Sequence, residues 1–240
     1  HEIANVSGTE GIRYMLDASA ELKLNVFFML SSCVPATDME TTGARLTADE
    51  LRPFIHEERI LGLAEMMNFP GVISADEDVL SKIHMARGAR KPIDGHSPGL
   101  SGHHLSAYVA AGITSDHECT SHEEAREKLR AGMHIMVREG SAAKNLSSLL
   151  PVVDPVTYRR MMWCTDDRHP HDLLNQGHID FIVRSAVRMG LDPVIAIQMA
   201  TLNPAEYFNL KHLGAIAPGR QADILIIDNL KKLNIVQVYS

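Results

Sequence analysis

Six times along this chain a short apolar run ends in polar or ionisable residues and gives way to a segment of helical spacing. Residues 25–30 (NVFFML) run into Ser31-Ser32-Cys33, residues 61–64 into Glu65, and residues 92–95 into His96. Residues 110–115 lead to Asp116-His117-Glu118, residues 133–137 to Arg138-Glu139-Gly140, and residues 161–165 to Asp166-Asp167. Strands separated by helix-length segments pair in parallel, because a parallel crossover needs about a dozen residues or more. Two architectures satisfy this pattern, a doubly wound open sheet and a (β/α)8 barrel. Neither GxGxxG nor GxxxxGK[ST] follows any of the runs, which removes the commonest nucleotide-binding reasons for an open sheet. The ionisable residues all fall at C-terminal strand ends, where barrel active sites are built. The expected fold is therefore α/β, a TIM-like (β/α)8 barrel. With six visible units, it is expected to be incomplete at the N-terminus, lacking strand 1 and most of strand 2.

The intervening helices carry their own punctuation. Thr47-Ala48-Asp49-Glu50 and Ser121-His122-Glu123-Glu124 have the hydroxyl-to-carboxylate spacing of capping boxes. Gly88 and Gly132 stand where helix C-terminal glycines belong. Ile179, Ile182, Val183, Ala186 and Val187 form a stripe at helical spacing, and residues 192–201 continue as one more helix. After the turn at 214–219 (GAIAPG), residues 222–228 (ADILIID) form an apolar strand outside the barrel rhythm. The expected division is a catalytic barrel over 1–212 and, over 213–240, the exit into a small β-rich domain, the start of a β-sandwich.

Charge and composition exclude several classes of function. The net charge is −7, and Lys and Arg form no cluster of the kind that phosphate contacts require, so no nucleic-acid partner is expected. The longest apolar runs are far too short to span a bilayer. His1-Glu2-Ile3-Ala4-Asn5 has neither the basic nor the apolar region of a signal peptide. Three cysteines without any CxxC fit a reduced compartment and exclude a thiolate zinc module, so a cytoplasmic location is expected. The twelve methionines spread through strands and helices as core filling.

Glu65, His96, His117 and Asp166 each stand at the end of a different parallel strand. One such residue alone is an ordinary turn residue; four in consecutive or near-consecutive units read as a metal site. Imidazole with carboxylate suits zinc, manganese or iron, and a bridging carboxylate can hold two ions about 3.5–4 Å apart. Such ions bring the pKa of water toward neutrality. Cys119, beside His117 and Glu118, is read as a small buried hydrophobe rather than a nucleophile. His103, His104 and His122 lie in or at the start of helices and are expected to be solvated.

Several longer motifs carry a family resemblance. Residues 94–99 (DGHSPG), 115–118 (SDHE), 138–145 (REGSAAKN) and 164–170 (CTDDRHP) resemble the bacterial adenine deaminases of the amidohydrolase superfamily. So do residues 1–6 (HEIANV) and 199–208 (MATLNPAEYF), while 214–228 resembles the general superfamily exit from barrel to β-sandwich. The resemblance implies His96 and His117 as metal ligands from barrel strands 5 and 6, Glu65 as the strand 4 bridging carboxylate, and Asp166 as the strand 8 ligand and proton acceptor. It also implies proton shuttling for Glu118 and contact with the purine for Asp167 and Arg138; Arg138 and Glu139 are equally readable as a structural ion pair. The implied reaction is hydrolysis of adenine to hypoxanthine and ammonia, with a binuclear manganese or iron centre, zinc being the alternative, in a homo-oligomer. The superfamily's strand 1 His-x-His is absent. His169-Pro170-His171 follows Asp166 and is a poor substitute, so the missing pair is expected upstream of His1. Two other readings stay open: an amidohydrolase acting on a cyclic amide or another heterocycle, and a barrel fragment without its first ligands.

Overall fold

The computed structural model describes residues 1–37 and 39–240, and the chain divides into two compact units. One comprises His1–Asp116 and Ala131–Met133, the other His117–Arg130 and His134–Ser240.

The first unit runs α1 (Glu2–Ala18), β1 (Phe28–Leu30), α2 (Ala48–Leu51), β2 (Ile60–Met66), α3 (Phe69–Ile73), α4 (Glu77–Gly88), β3 (Ile93–Gly95), α5 (Gly102–Ala111) and β4 (Ser115–Asp116). The strands β1, β2 and β3 form a parallel sheet in chain order, with Leu30 beside Leu63 and Met66 beside Gly95. Leu30, Ile60, Leu63, Met66 and Ile93 are all buried, packed with Ile83 and Ala86 of α4 and Leu105 and Tyr108 of α5. A parallel strand covered on both faces needs apolar residues at successive positions, which is why these strands read as runs rather than alternations. Thr47 and Glu50 form the expected capping box, and Asp76 caps α4 by accepting from the Val79 N–H. The run at 110–115 is not one strand. Ala110 and Ala111 finish α5, Gly112 takes a left-handed φ of 117°, and the strand begins only at Ser115. A glycine in that conformation ends a helix, so one apolar stretch straddles two elements.

The second unit runs α6 (His122–Arg130), β5 (His134–Arg138), α7 (Leu146–Leu149), β6 (Met161–Cys164), α8 (Pro170–Asn175), α9 (Ile179–Arg188), α10 (Pro193–Ala200), α11 (Leu202–Tyr207), β7 (Ile224–Ile227) and β8 (Ile235–Tyr239). β5 and β6 are parallel, from Ile135 beside Met161 to Arg138 beside Cys164. Ile135, Val137, Met161 and Trp163 pack with Ile182, Val183 and Ala186, the inner part of the α9 stripe. The Trp163 indole N–H satisfies itself on the Ala196 carbonyl at 2.8 Å. At the start of α6 the capping box is shifted by one residue. Ser121 Oγ accepts from the Glu124 N–H, but the Glu124 carboxylate accepts from Thr120 N–H. The late apolar strand is β7, paired antiparallel with β8, whose residues are all exposed.

Candidate metal centre

Each unit assembles part of the ionisable set. In the first, β2 extends past the apolar run and includes Glu65 as its penultimate residue. Side chains alternate across a strand, so with Met66 buried in the core Glu65 stands on the opposite side and stays partly exposed. His96 follows β3 directly, and its Nδ1 lies 2.9 Å from Glu65 Oε2.

In the second unit, His117, Glu118 and Asp166 bring their ligand atoms within 4.8 Å of one another. Two metal–ligand bonds of about 2.0–2.2 Å put donor atoms on one ion no more than about 4.4 Å apart, so the group would draw in by a few tenths of an ångström or more to share an ion. His117 Nε2 is 3.4 Å from Glu118 Oε1. The register of β5 against β6 sets Arg138 beside Cys164, two residues before Asp166, and the guanidinium joins both carboxylates. Its Nη1 donates to Glu118 Oε1 and, at 2.8 Å, to Asp166 Oδ2; Nη2 donates to Glu118 Oε2 at 3.2 Å and Nε to Asn145 Oδ1 at 3.3 Å. Burial alone would lower the Arg138 pKa, but the hydrogen bonds and charges of Asp166 and Glu118 outweigh it and raise it. A fixed cation between two carboxylates offsets their mutual repulsion. Asp166 itself has a φ of 52°, in the left-handed region that aspartate and asparagine enter more readily than other side chains.

The loops behind this group are sewn together. Ser141 N–H donates to the Asp167 carbonyl, and Ser141 Oγ accepts from His169 N–H while donating to Asp172. Arg168 donates to the Gly177 and Glu139 carbonyls and lies over the Phe181 ring. The fixed loop leaves Asp167 exposed, one residue beyond Asp166.

Several local expectations change. Arg138 pairs with Glu118 and Asp166 rather than with Glu139, whose carboxylate accepts from the Leu146 N–H at the start of α7. Asn145 is the N-cap residue of α7, but its side chain receives Arg138 and makes no cap bond. His103, His104 and His122 are exposed as expected. Among the described residues, neither His169 nor His171 belongs to a group with ligand atoms in mutual reach. The pairing of Arg138 was hidden from the sequence because its acceptors lie 20 and 28 positions away; the β5–β6 register brings Asp166 near, and the fold alone brings Glu118. The donor set of imidazole and carboxylate fits a divalent ion of the manganese, iron or zinc type.

The amidohydrolase family profile matches residues 1–240. An adenine deaminase of Desulfatibacillum aliphaticivorans is 54% identical over 240 residues, covering 100% of this chain and 42% of that protein. Adenine deaminase 2 of Carboxydothermus hydrogenoformans is 56% identical over 232 residues, covering 97% and 40%. The chain thus spans about two-fifths of the length of these curated relatives. Among solved structures, an adenine deaminase superposes with a TM-score of 0.64 at 17% identity, over 92% of this chain and 66% of that one. A β-aspartyl dipeptidase of Fervidobacterium islandicum gives 0.68 at 16% identity, over 96% and 68%. At such identities the structural likeness speaks for the fold alone. Matched by the family profile from its first residue to its last, this chain belongs to the amidohydrolase family.

Proposed function

We propose that the protein carrying this chain deaminates adenine hydrolytically, giving hypoxanthine and ammonia. The observation that carries this reading is 54% identity along all 240 residues to a relative named adenine deaminase. In this reading residues 1–212 belong to a TIM-like catalytic barrel, the fold of the amidohydrolase superfamily, and β7 with β8 opens a β-rich domain over 213–240. Support comes from the parallel sheets and from the change to antiparallel pairing at β7.

Glu65, His96, His117 and Asp166 are the proposed metal ligands, supported by the Glu65–His96 contact and by the group of His117, Glu118 and Asp166. These residues would hold the metal, proposed as binuclear manganese or iron, whose chemistry when bound would be to bring the pKa of a water near neutrality. Asp166 would take the first proton of the water that adds to purine C6 and Glu118 would pass it to the ring nitrogen; the second proton, lost from the C6 hydroxyl as the carbonyl forms, would reach the departing amine by the same two carboxylates. One water enters and one ammonia leaves, so the balance closes on hypoxanthine. Arg138, bound to both carboxylates, keeps donor and acceptor in one place and bears on the purine from there. Asp167 is the second proposed purine contact. The protein is proposed to act as a homo-oligomer on this small molecule. Among the described residues, no helix is long and apolar enough to cross a membrane.

The test is ammonia release by the full-length protein from adenine and from a panel of other heterocycles and cyclic amides. Turnover of adenine above the rest is expected; hydrolysis of a cyclic amide with adenine untouched would replace this reading with another amidohydrolase activity.

A further inference from the structure

Beneath His96 the backbone leaves β3 through three successive N–H groups, and a side chain receives each one. Gly95 N–H donates to Ser115 Oγ at 3.4 Å, His96 N–H to Tyr108 Oη at 3.0 Å, and Ser97 N–H to Asp116 Oδ1 at 2.8 Å. The acceptors in turn tie down their surroundings. Tyr108 Oη donates to the carbonyl of Met66, the residue after Glu65, at 2.8 Å. Ser115 Oγ donates to Asp94 Oδ1, and Ser97 Oγ adds a second bond to Asp116 Oδ1. Tyr108, Ser97 and Asp116 are 0% exposed and Ser115 is 1% exposed. Gly95 permits the close fit: a Cβ there would fall 2.2 Å from the Ser115 carbonyl oxygen and 3.1 Å from Tyr108 Oη.

Burying a phenol, a carboxylate and two hydroxyls to hold one turn costs desolvation that an apolar filling would avoid. A fully bonded polar network instead selects a single conformation. We propose that Tyr108, Ser115 and Asp116 are positioning residues, which fix the His96 turn so that its imidazole is preorganised as a metal ligand. This rests on the reading of His96 as a ligand. Tyr108 is the central member, because one hydroxyl spans the ends of the two strands that carry Glu65 and His96. Glu65 fixes the imidazole at Nδ1 while Tyr108 fixes the same residue at its backbone. Burial pushes the Tyr108 hydroxyl far above its ordinary pKa, so it keeps its proton for the Met66 carbonyl.

The experiment compares wild type, Tyr108→Phe and Leu105→Ala in the full-length protein. Leu105→Ala is a packing control, a buried position on the same helix with no part in the turn. Tyr108→Phe should raise the hydrogen-exchange rate of the His96 amide at least tenfold in metal-free protein, and weaken manganese binding by about 10–100-fold, the usual effect of removing a group that orients a ligand. Leu105→Ala should lower the melting temperature while leaving manganese affinity near that of wild type. Unchanged His96 exchange in Tyr108→Phe overturns the proposal, as does an equal loss of manganese affinity in both variants. If wild type itself binds no manganese, the metal reading fails; the exchange comparison in metal-free protein then still decides whether Tyr108 fixes the turn.

Discussion

Asp166 leaves β6 in a left-handed conformation that only a few side chains adopt readily, and asparagine is one of them. Asp166→Asn therefore keeps the backbone and nearly the volume. It removes the charge that Arg138 meets and the basicity that proton transfer needs. In the full-length enzyme this substitution is expected to cost about 10²–10⁴-fold in turnover, with reduced bound metal and an intact fold. Asp167→Asn, one residue on and exposed, should weaken adenine binding with metal content unchanged. Elemental analysis and ultraviolet detection of adenine loss check both, and the opposite pattern would exchange the two roles. Arg138→Met tests the pairing itself. It leaves Glu118 and Asp166 facing each other without their cation, with the Glu118 side chain only 14% exposed. Removing one member of a buried pair costs about 3–5 kcal/mol. Because Asp166 is 35% exposed and partly screened, the low end, about 3 kcal/mol, is expected in denaturant unfolding. A loss below about 0.5 kcal/mol, the range of ordinary surface substitutions, would show that the guanidinium is not holding the two carboxylates.

At the scale of elements, α9 offers a pH-dependent test. Burial by itself would raise the Asp180 pKa, but the His178 N–H at 2.7 Å and the Arg184 guanidinium at 2.5 Å bring it below the usual aspartate value. A carboxyl depressed in the folded state adds stability above its unfolded pKa of about 3.9, and that stability disappears as pH falls through the lower folded value. Asp180→Asn should therefore lower the melting temperature at neutral pH, with the difference from wild type shrinking below about pH 4. A difference constant from pH 7 to pH 3 would rule out the ionised carboxylate as its source. The same helix shows why parts of the fold were legible. Its stripe of Ile182, Val183 and Ala186 is set by local periodicity, and the apolar runs of β2 and β5 by the core that Ile60, Leu63 and Met66 in one unit and Ile135 and Val137 in the other enter. The stretch at 110–115 was misread because Gly112 divides it between α5 and β4, and apolar residues look alike in either. The proposed ligands Glu65, His96, His117 and Asp166 stand out in the sequence because each follows or ends an apolar run. Tyr108 does not: it sits inside a helix, and its partners, the Met66 carbonyl and the His96 N–H, are set by tertiary structure rather than by local spacing.

For the molecule as a whole, the metal reading has a thermodynamic consequence that needs no catalysis. An ion that binds the folded state and not the unfolded one stabilises by RT ln(1 + [M]/Kd), about 2.7 kcal/mol at a hundredfold excess over Kd. In a protein of this size or larger that amounts to a few degrees in melting temperature. A net charge of −7 will attract any divalent cation weakly, so the informative comparison is between ions at equal concentration. Imidazole ligands favour manganese, iron or zinc over magnesium, which prefers oxygen and keeps its waters. Manganese should therefore raise the melting temperature of the full-length protein where magnesium does not, and a chelator should reverse the rise. His117→Ala should abolish the manganese-specific part, because it removes an imidazole from the group of His117, Glu118 and Asp166. A shift that is the same for magnesium and manganese would reduce the effect to screening of surface charge, and a manganese-specific shift that survives His117→Ala would place the ion away from His117. The proposed ligand set would then have no thermodynamic support.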